Sequence, residues 1–177
     1  MPQPAEFAVA SPSLHARKLT LDDAEILQKL YEQCHDYAVL EQGFPYAPTS
    51  ALDEFGALPP GKTLADKFLF GLFDEQGTII GLIESIRYYP DDITWWLGLM
   101  LLAPQHRRKG LGTEFYKAFE NWAANEGAHH IQLAALEENE SGQRFWQSLG
   151  FREIRRTEPK PYGNKHHKLI VMQRTIA

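Results

Sequence analysis

One cysteine, Cys34, stands among 177 residues, so no internal disulfide can form, and no Cys/His grouping has the spacing of a zinc site. This scarcity fits a reducing compartment. Nowhere do eighteen apolar residues run together, and MPQPAEFAVASPSLHARK lacks a charged opening followed by an apolar core, which predicts a cytoplasmic protein outside any membrane. Basic residues are also outnumbered. With 18 Lys and Arg against 23 Asp and Glu the formal charge is −5, which argues against nucleic-acid or anionic-membrane binding through the surface at large. Any basic site must therefore be local. No internal repeat or low-complexity stretch interrupts the chain, so a single domain is expected over residues 14–177, with 1–13 as a flexible tail.

What is present divides by period. Thr20-Leu21-Asp22-Asp23 has the form of a capping box, and Ile26, Leu27, Leu30, Tyr31 and Cys34 recur at helical spacing, predicting one helix from about 21 to the late thirties. The irregular segment EQGFPYAPTSALDEFGALPPGK carries at most a short helix near Leu52 to Phe55. KFLFGLF, TIIGLIESIRYY and ITWWLGLMLL then read as three antiparallel strands separated by turns at Asp74–Gly77 and Pro90–Asp92. After Pro104 the period is helical, with Leu111, Phe115, Ala118, Phe119, Trp122 and Ala123 on one face and Gly127 as the stop. HIQLAAL is a strand, and a second helix carries Gly142, Phe145, Trp146 and Leu149 into a left-handed cap at Gly150. FREIRRT and KLIVMQR close the sheet around the loop EPKPYGNKHH.

Between the third strand and the long helix lies His106-Arg107-Arg108-Lys109-Gly110-Leu111-Gly112-Thr113, a local basic cluster carrying two glycines. A solvated charge run needs no glycine, and a linker needs no cations. The first amides of a helix have no internal partners and sit at the positive end of its dipole, so such a terminus attracts phosphate. Gly110 and Gly112 would let those amides approach a ligand closely, while Arg107, Arg108 and Lys109 add charge. The ligand this predicts is a pyrophosphate. A P-loop is excluded because no G-x-x-x-x-G-K-[ST] is present, and a dinucleotide fingerprint because the third glycine is missing.

At these residues the sequence resembles the GNAT superfamily of acyl-CoA-dependent N-acetyltransferases, whose signature is [R/Q]-x-x-G-x-[G/A] between a strand and a helix. Arg107-Arg108-Lys109-Gly110-Leu111-Gly112 matches it, preceded by Leu102-Ala103-Pro104. Downstream, Asn139 through Phe151, NESGQRFWQSLGF, resembles the family's second segment, with Phe-Trp in place of its Phe-Tyr. The likeness runs over about 14–174 in element order, with specific residues only in 99–151.

The resemblance implies a mixed α/β fold of GNAT type: a mixed central sheet with antiparallel N-terminal strands and a splayed parallel pair at the cofactor site, flanked by helices. It implies acetyl-CoA as cosubstrate. The pantetheine arm would add to the free edge of Met100, Leu101 and Leu102 as an extra strand does. The pyrophosphate would lie on the amides from Arg108 to Thr113, Leu111 among them, with Asn139 reaching the pantetheine or acetyl end and Phe145 packing the helix. The reaction it implies is direct attack of a neutral primary amine, of a small molecule or a peptide, on the thioester, with a strand amide holding the oxyanion and CoA thiolate leaving. In much of the family a tyrosine protonates that thiolate. Trp146 holds its place here, and indole gives up no proton at neutral pH. Ala134 stands where the branch that acetylates ribosomal-protein N-termini carries Glu, which disfavours that branch.

For the general base the residues themselves point to Glu84, a carboxylate in mid-strand among apolar neighbours, where burial would raise its pKa. An edge-facing or salt-bridged Glu84 is the alternative. Of the adjacent Trp95 and Trp96, one should be core and the other face the substrate cleft. Tyr37, Phe44 and Tyr46 are candidate acceptor-pocket walls, while His129-His130 and His166-His167 read as surface or loop residues without metal spacing. A non-catalytic acyl-CoA-binding sensor is the alternative function, and a docking patch for a phosphorylated partner or RNA is a third. A homodimer is left open by the family's habits.

Overall fold

In the computed structural model, which describes residues 6–177, the strand-forming runs assemble into one mixed eight-stranded sheet. Along the chain come β1 (Glu6–Ala8), β2 (His15–Lys18), α1 (Ala24–Gln33), α2 (His35–Gln42) and α3 (Ser50–Glu54). Next are β3 (Lys67–Phe73), β4 (Ile79–Ile86), β5 (Thr94–Leu102), α4 (Leu111–Asn125), β6 (His130–Leu136) and α5 (Glu140–Ser148). The chain closes with β7 (Arg152–Arg156), β8 (Lys160–Tyr162), β9 (Lys165–His167) and β10 (Leu169–Thr175). The order in the sheet is β1-β2-β3-β4-β5-β6-β10-β7. All neighbours are antiparallel except β5 and β6, and β8-β9 forms a separate hairpin. This is the mixed α/β fold expected.

Both faces of the central strands are covered, so β3 and β4 are buried at every position rather than alternately. Under α4 lies an aromatic core in which Phe68, Phe70, Trp95, Phe119 and Trp122 meet at ring distances of 4.7–6.2 Å. Under α1 lies a second core of Leu27, Leu30, Tyr31, Cys34, Leu69, Leu82 and Leu101. Among the described residues no helix is long and apolar enough to cross a membrane.

Three expectations change. The first five residues of the tail expected over 1–13 lie outside the described residues, but Glu6–Ala8 is a paired edge strand, because Phe7 packs 4.8 Å from Phe70 and extends the aromatic core. The single helix over 21 to the late thirties is a 3₁₀ turn at Leu21–Asp23 followed by two helices that break at Cys34 (φ −93°, ψ 29°). There the fully buried thiol points at the carbonyl of Leu102, 3.7 Å away. The loop EPKPYGNKHH contains the β8-β9 hairpin, which docks on the end of α2: Asn164 and Lys165 donate to the carbonyls of Gln42 and Leu40, and His167 to that of Glu41. Those carbonyls would otherwise be orphaned at the helix terminus.

Candidate active site

The parallel pair is short. β5 and β6 are in register only at Thr94–Trp96 against His130–Gln132, after which they diverge. From Leu97 to Leu102, β5 keeps β4 as its one strand partner, so every second N–H and C=O faces the gap without a ladder. A register slip at Glu84/Ser85 leaves Gly98 as an extra residue opposite β4, and such a bulge bends and twists the strand that carries it. The resulting cleft, about 640 Å³, runs between Leu97–Leu102, the Leu133–Leu136 end of β6, the basic loop and the first turn of α5.

The loop is built to present amides. Arg108 (φ 59°) and Gly110 (φ 82°) are both left-handed, and Gly110 caps α4 without a side chain, so the first amides of the helix remain available. Gly112 keeps the wall low: a Cβ there would lie 3.5 Å from the Phe145 ring and 3.7 Å from Met100 Cε, against the cleft. A one-sided strand edge leading to unpaired amides at a helix N-terminus fits an extended thioester cosubstrate with a pyrophosphate.

The site residues expected from sequence fall into two groups. Met100, Leu101, Leu102, Arg107, Arg108, Gly110, Gly112, Thr113, Asn139 and Trp146 all line the cleft. Lys109 and Leu111 do not: the first is exposed beyond the turn, and the second packs against the aromatic core from α4. The charge of Arg107 is also engaged internally. Its guanidinium makes two hydrogen bonds to Asp36 (2.6 and 3.2 Å), and its Nε donates to the carbonyl of Leu102 (2.8 Å). Arg107 thus ties α2, the loop and the end of β5 together, and it holds the Asp36 carboxyl below the usual carboxylate range. Its partner is on another element, which no local pattern reveals.

Asn139 caps α5, its Oδ1 accepting from Gly142 N at 3.1 Å, while the residue lines the cleft. Trp146 packs edge-on against Tyr116, Phe145 and Phe151 at 4.8–5.6 Å. Ala134 lines the cleft and brings no carboxylate to it.

Glu84 is 5% exposed, and the alternative of a salt bridge holds together with burial. Its Oε1 lies 3.3 Å from Nζ of Lys67, itself 5% exposed, which also donates to Glu54 Oε1 (3.0 Å) and the Ala57 carbonyl (2.6 Å). The Tyr31 hydroxyl donates to Glu54 Oε2 (3.4 Å). Desolvation pushes the Glu84 carboxyl up to about 7; Lys67 opposes this and Glu54 reinforces it. Glu84 is not itself on the cleft wall. Gly98 is, and a Cβ there would collide with the Glu84 carboxylate, so the absent side chain leaves the carboxylate beside the bulge. Lys67 and Glu54 carry no sequence signal, since one opens an apolar strand and the other lies in the irregular segment.

Of the aromatics, Tyr37 lines the cleft, Tyr46 packs 4.6 Å from Tyr31 with its buried hydroxyl unpartnered, and Phe44 is exposed. Trp95 is core as expected for one of the pair, but Trp96 packs edge-on against Tyr89 at 6.1 Å, off the cleft. His167, read as a surface or loop residue, is 2% exposed, because its ring is drawn in to the end of α2. Among the described residues no group of three His, Cys, Asp or Glu could hold a metal ion.

Comparison with known proteins bears on this geometry. A family model described as the acetyltransferase (GNAT) family matches residues 24–151. The uncharacterized N-acetyltransferase YobR of Bacillus subtilis (strain 168) is 30% identical over 101 residues, which is 56% of this chain and 37% of that protein. The match thus spans little more than a third of that relative. Among solved structures, an acetyltransferase from Thermus thermophilus superposes with a TM-score of 0.74 at 22% identity, covering 92% of this chain and 97% of that one. YncA of Salmonella typhimurium, solved with its cofactor acetyl-CoA, gives 0.67 at 17% identity over 93% and 95%. At these identities the likeness is one of fold.

Proposed function

Because the chain belongs to the acetyltransferase (GNAT) family, we propose that it transfers an acetyl group from acetyl-CoA to a primary amine of a small molecule or peptide by direct attack. The observation that carries this reading is the continuity of one cleft: an unpaired strand edge, the amides of a glycine-bearing helix start, and a buried carboxylate behind a bare Gly98. When bound, acetyl-CoA would supply an acyl group activated as a thioester.

The free edge of β5 around Met100 would hold the pantetheine arm by backbone hydrogen bonds, the Leu102 carbonyl being taken by Arg107. The amides after Arg108 would hold the pyrophosphate. Asn139, with Oδ1 committed to its own helix, has Nδ2 left to donate into the cleft. A free amide of the β5 edge would stabilise the negative charge developing on the acyl oxygen. Glu84 would receive the proton of the attacking amine, and a carboxyl pushed up to about 7 is well matched to that task at neutral pH. Trp146 has no proton to give, so the thiolate leaves without an acid from that position; with thiol pKa values near ~8.5, such departure is feasible.

Amine-dependent release of CoA from acetyl-CoA, followed by thiol detection across polyamines, aminoglycosides, amino acids, arylamines and Lys peptides, tests the proposal. Release with one class establishes transfer and the acceptor type. Tight binding of acetyl-CoA with no release for any amine would overturn the reading in favour of a non-catalytic acyl-CoA-binding module.

A further inference from the structure

The Lys67 cluster carries a charge imbalance that packing alone does not require. One buried ammonium serves two carboxylates, those of Glu54 and Glu84. With all three ionised the cluster would hold a net negative charge out of water, which is costly, so it tends to keep a proton. Which carboxylate keeps it follows from the hydrogen bonds. Lys67 donates to Glu54 at 3.0 Å and to the Ala57 carbonyl at 2.6 Å, and meets Glu84 as an ion pair at 3.3 Å, the longest of the three contacts. Glu54 has a second donor in Tyr31 and is partly open to solvent; Glu84 has the Gly98 amide as its second donor but is closed to solvent. Glu84 is therefore the less compensated carboxylate, and it is the one beside the bare Gly98 at the cleft.

We propose that Lys67 is a positioning residue for transfer: its ammonium, shared between Glu54 and Glu84, fixes the Glu84 carboxylate at the Gly98 gap and sets how strongly that carboxylate holds a proton. The proposal rests on the reading of Glu84 as proton acceptor. Facing Glu84 are Lys67 from β3, Glu54 from α3, Tyr31 from α1 and the Gly98 amide from β5. Lys67 favours the ionised form of Glu84, and Glu54 disfavours it. Removing either partner must move the titration, and in opposite directions. A merely structural role gives one direction only, because loosening the site admits water and lowers a raised carboxyl.

The test is a ¹³C NMR titration of glutamate side-chain carboxyls in the full chain without acceptor, with Glu84 assigned by its loss in Glu84→Gln. Lys67→Met is expected to raise the Glu84 midpoint by about one unit or more, and Glu54→Gln to lower it by a similar amount. Should Lys67→Met fail to fold, Lys67→Met with Glu54→Gln, which removes one buried charge of each sign, carries the same expectation of a rise, since Lys67 is the stronger influence. Midpoints that stay put, or that fall in both single variants, overturn the proposal. The pH profile of kcat/KM with the best amine of the panel is then measured on the same variants. A profile that follows the NMR midpoints supports the whole reading. Midpoints that move as stated under an unmoved profile uphold the hold of Lys67 on Glu84 and sink Glu84 as proton acceptor.

Discussion

The two faces of the central strands are both buried and differ in what is buried there. Beneath α4 the sheet meets mainly aromatic and aliphatic side chains, with Trp122 touching Phe7, Phe68, Phe70, Trp95 and Phe119. Beneath α1 and α3 the same strands carry a buried lysine and a buried glutamate, joined to a third charge and a tyrosine hydroxyl. Apolar packing needs no particular partner, so the first face tolerates volume-conserving change and resists only loss of volume. Buried charge needs its partners, so the second face fails when one is removed. Free energy spent burying charge beside a cleft, when carbon would serve the fold as well, points to chemistry on that side.

The sharpest break in the comparison is on the carbon side. Trp122→Ala should cost about 3–5 kcal/mol of stability, read by urea unfolding, while the folded fraction keeps its acetyl-CoA affinity in calorimetry. On the charged side the effect moves from stability to rate. Glu84→Gln should lower kcat/KM by about a hundredfold or more and leave the Kd for acetyl-CoA unchanged; a loss under tenfold would remove Glu84 from the proton path.

The pH dependence has a definite sign. A carboxyl raised to about 7 in the folded state contributes stability in its protonated form, and loses that contribution as pH climbs from the unfolded carboxylate range through 7. The Tm of Glu84→Gln relative to wild type should therefore increase between pH 5 and pH 8. In the same window the wild-type kcat/KM should rise as Glu84 gives up its proton. An unchanged Tm difference across this range would contradict the burial argument.

Smaller effects belong to the cleft between the faces. Gly112→Val should weaken acetyl-CoA about tenfold or more with the fold intact, because the added carbons enter the wall beside Phe145 and Met100. Trp146→Tyr supplies a proton donor within the same aromatic packing, and should raise turnover only a few-fold, at alkaline pH, if thiolate departure limits the rate.

Residues whose role is local were legible. The left-handed glycine after α5 and the amide-presenting turn at Gly110 each depend on backbone geometry that neighbouring residues impose. Period 2 and period 3.6 separated the strands from the helices for the same reason. Less legible were β1 and β2, short edge strands held by long-range pairing, and the break at Cys34, which answers to a carbonyl of Leu102 far along the chain. In the basic loop Arg107 looks free for phosphate in the sequence, and only the packing of α2 brings Asp36 to it.

Hydrophobic period and turn chemistry suffice to mark most strands and helices, because each acts between residues near in the chain, and two short motifs carry the family resemblance that implies the fold class. The partners of charged side chains are another matter. Lys67 meets Glu84 and Glu54, and Arg107 meets Asp36, only after separate elements pack. Coulomb energy depends on distance in space and on exclusion of water, and neither exists until the sheet is covered.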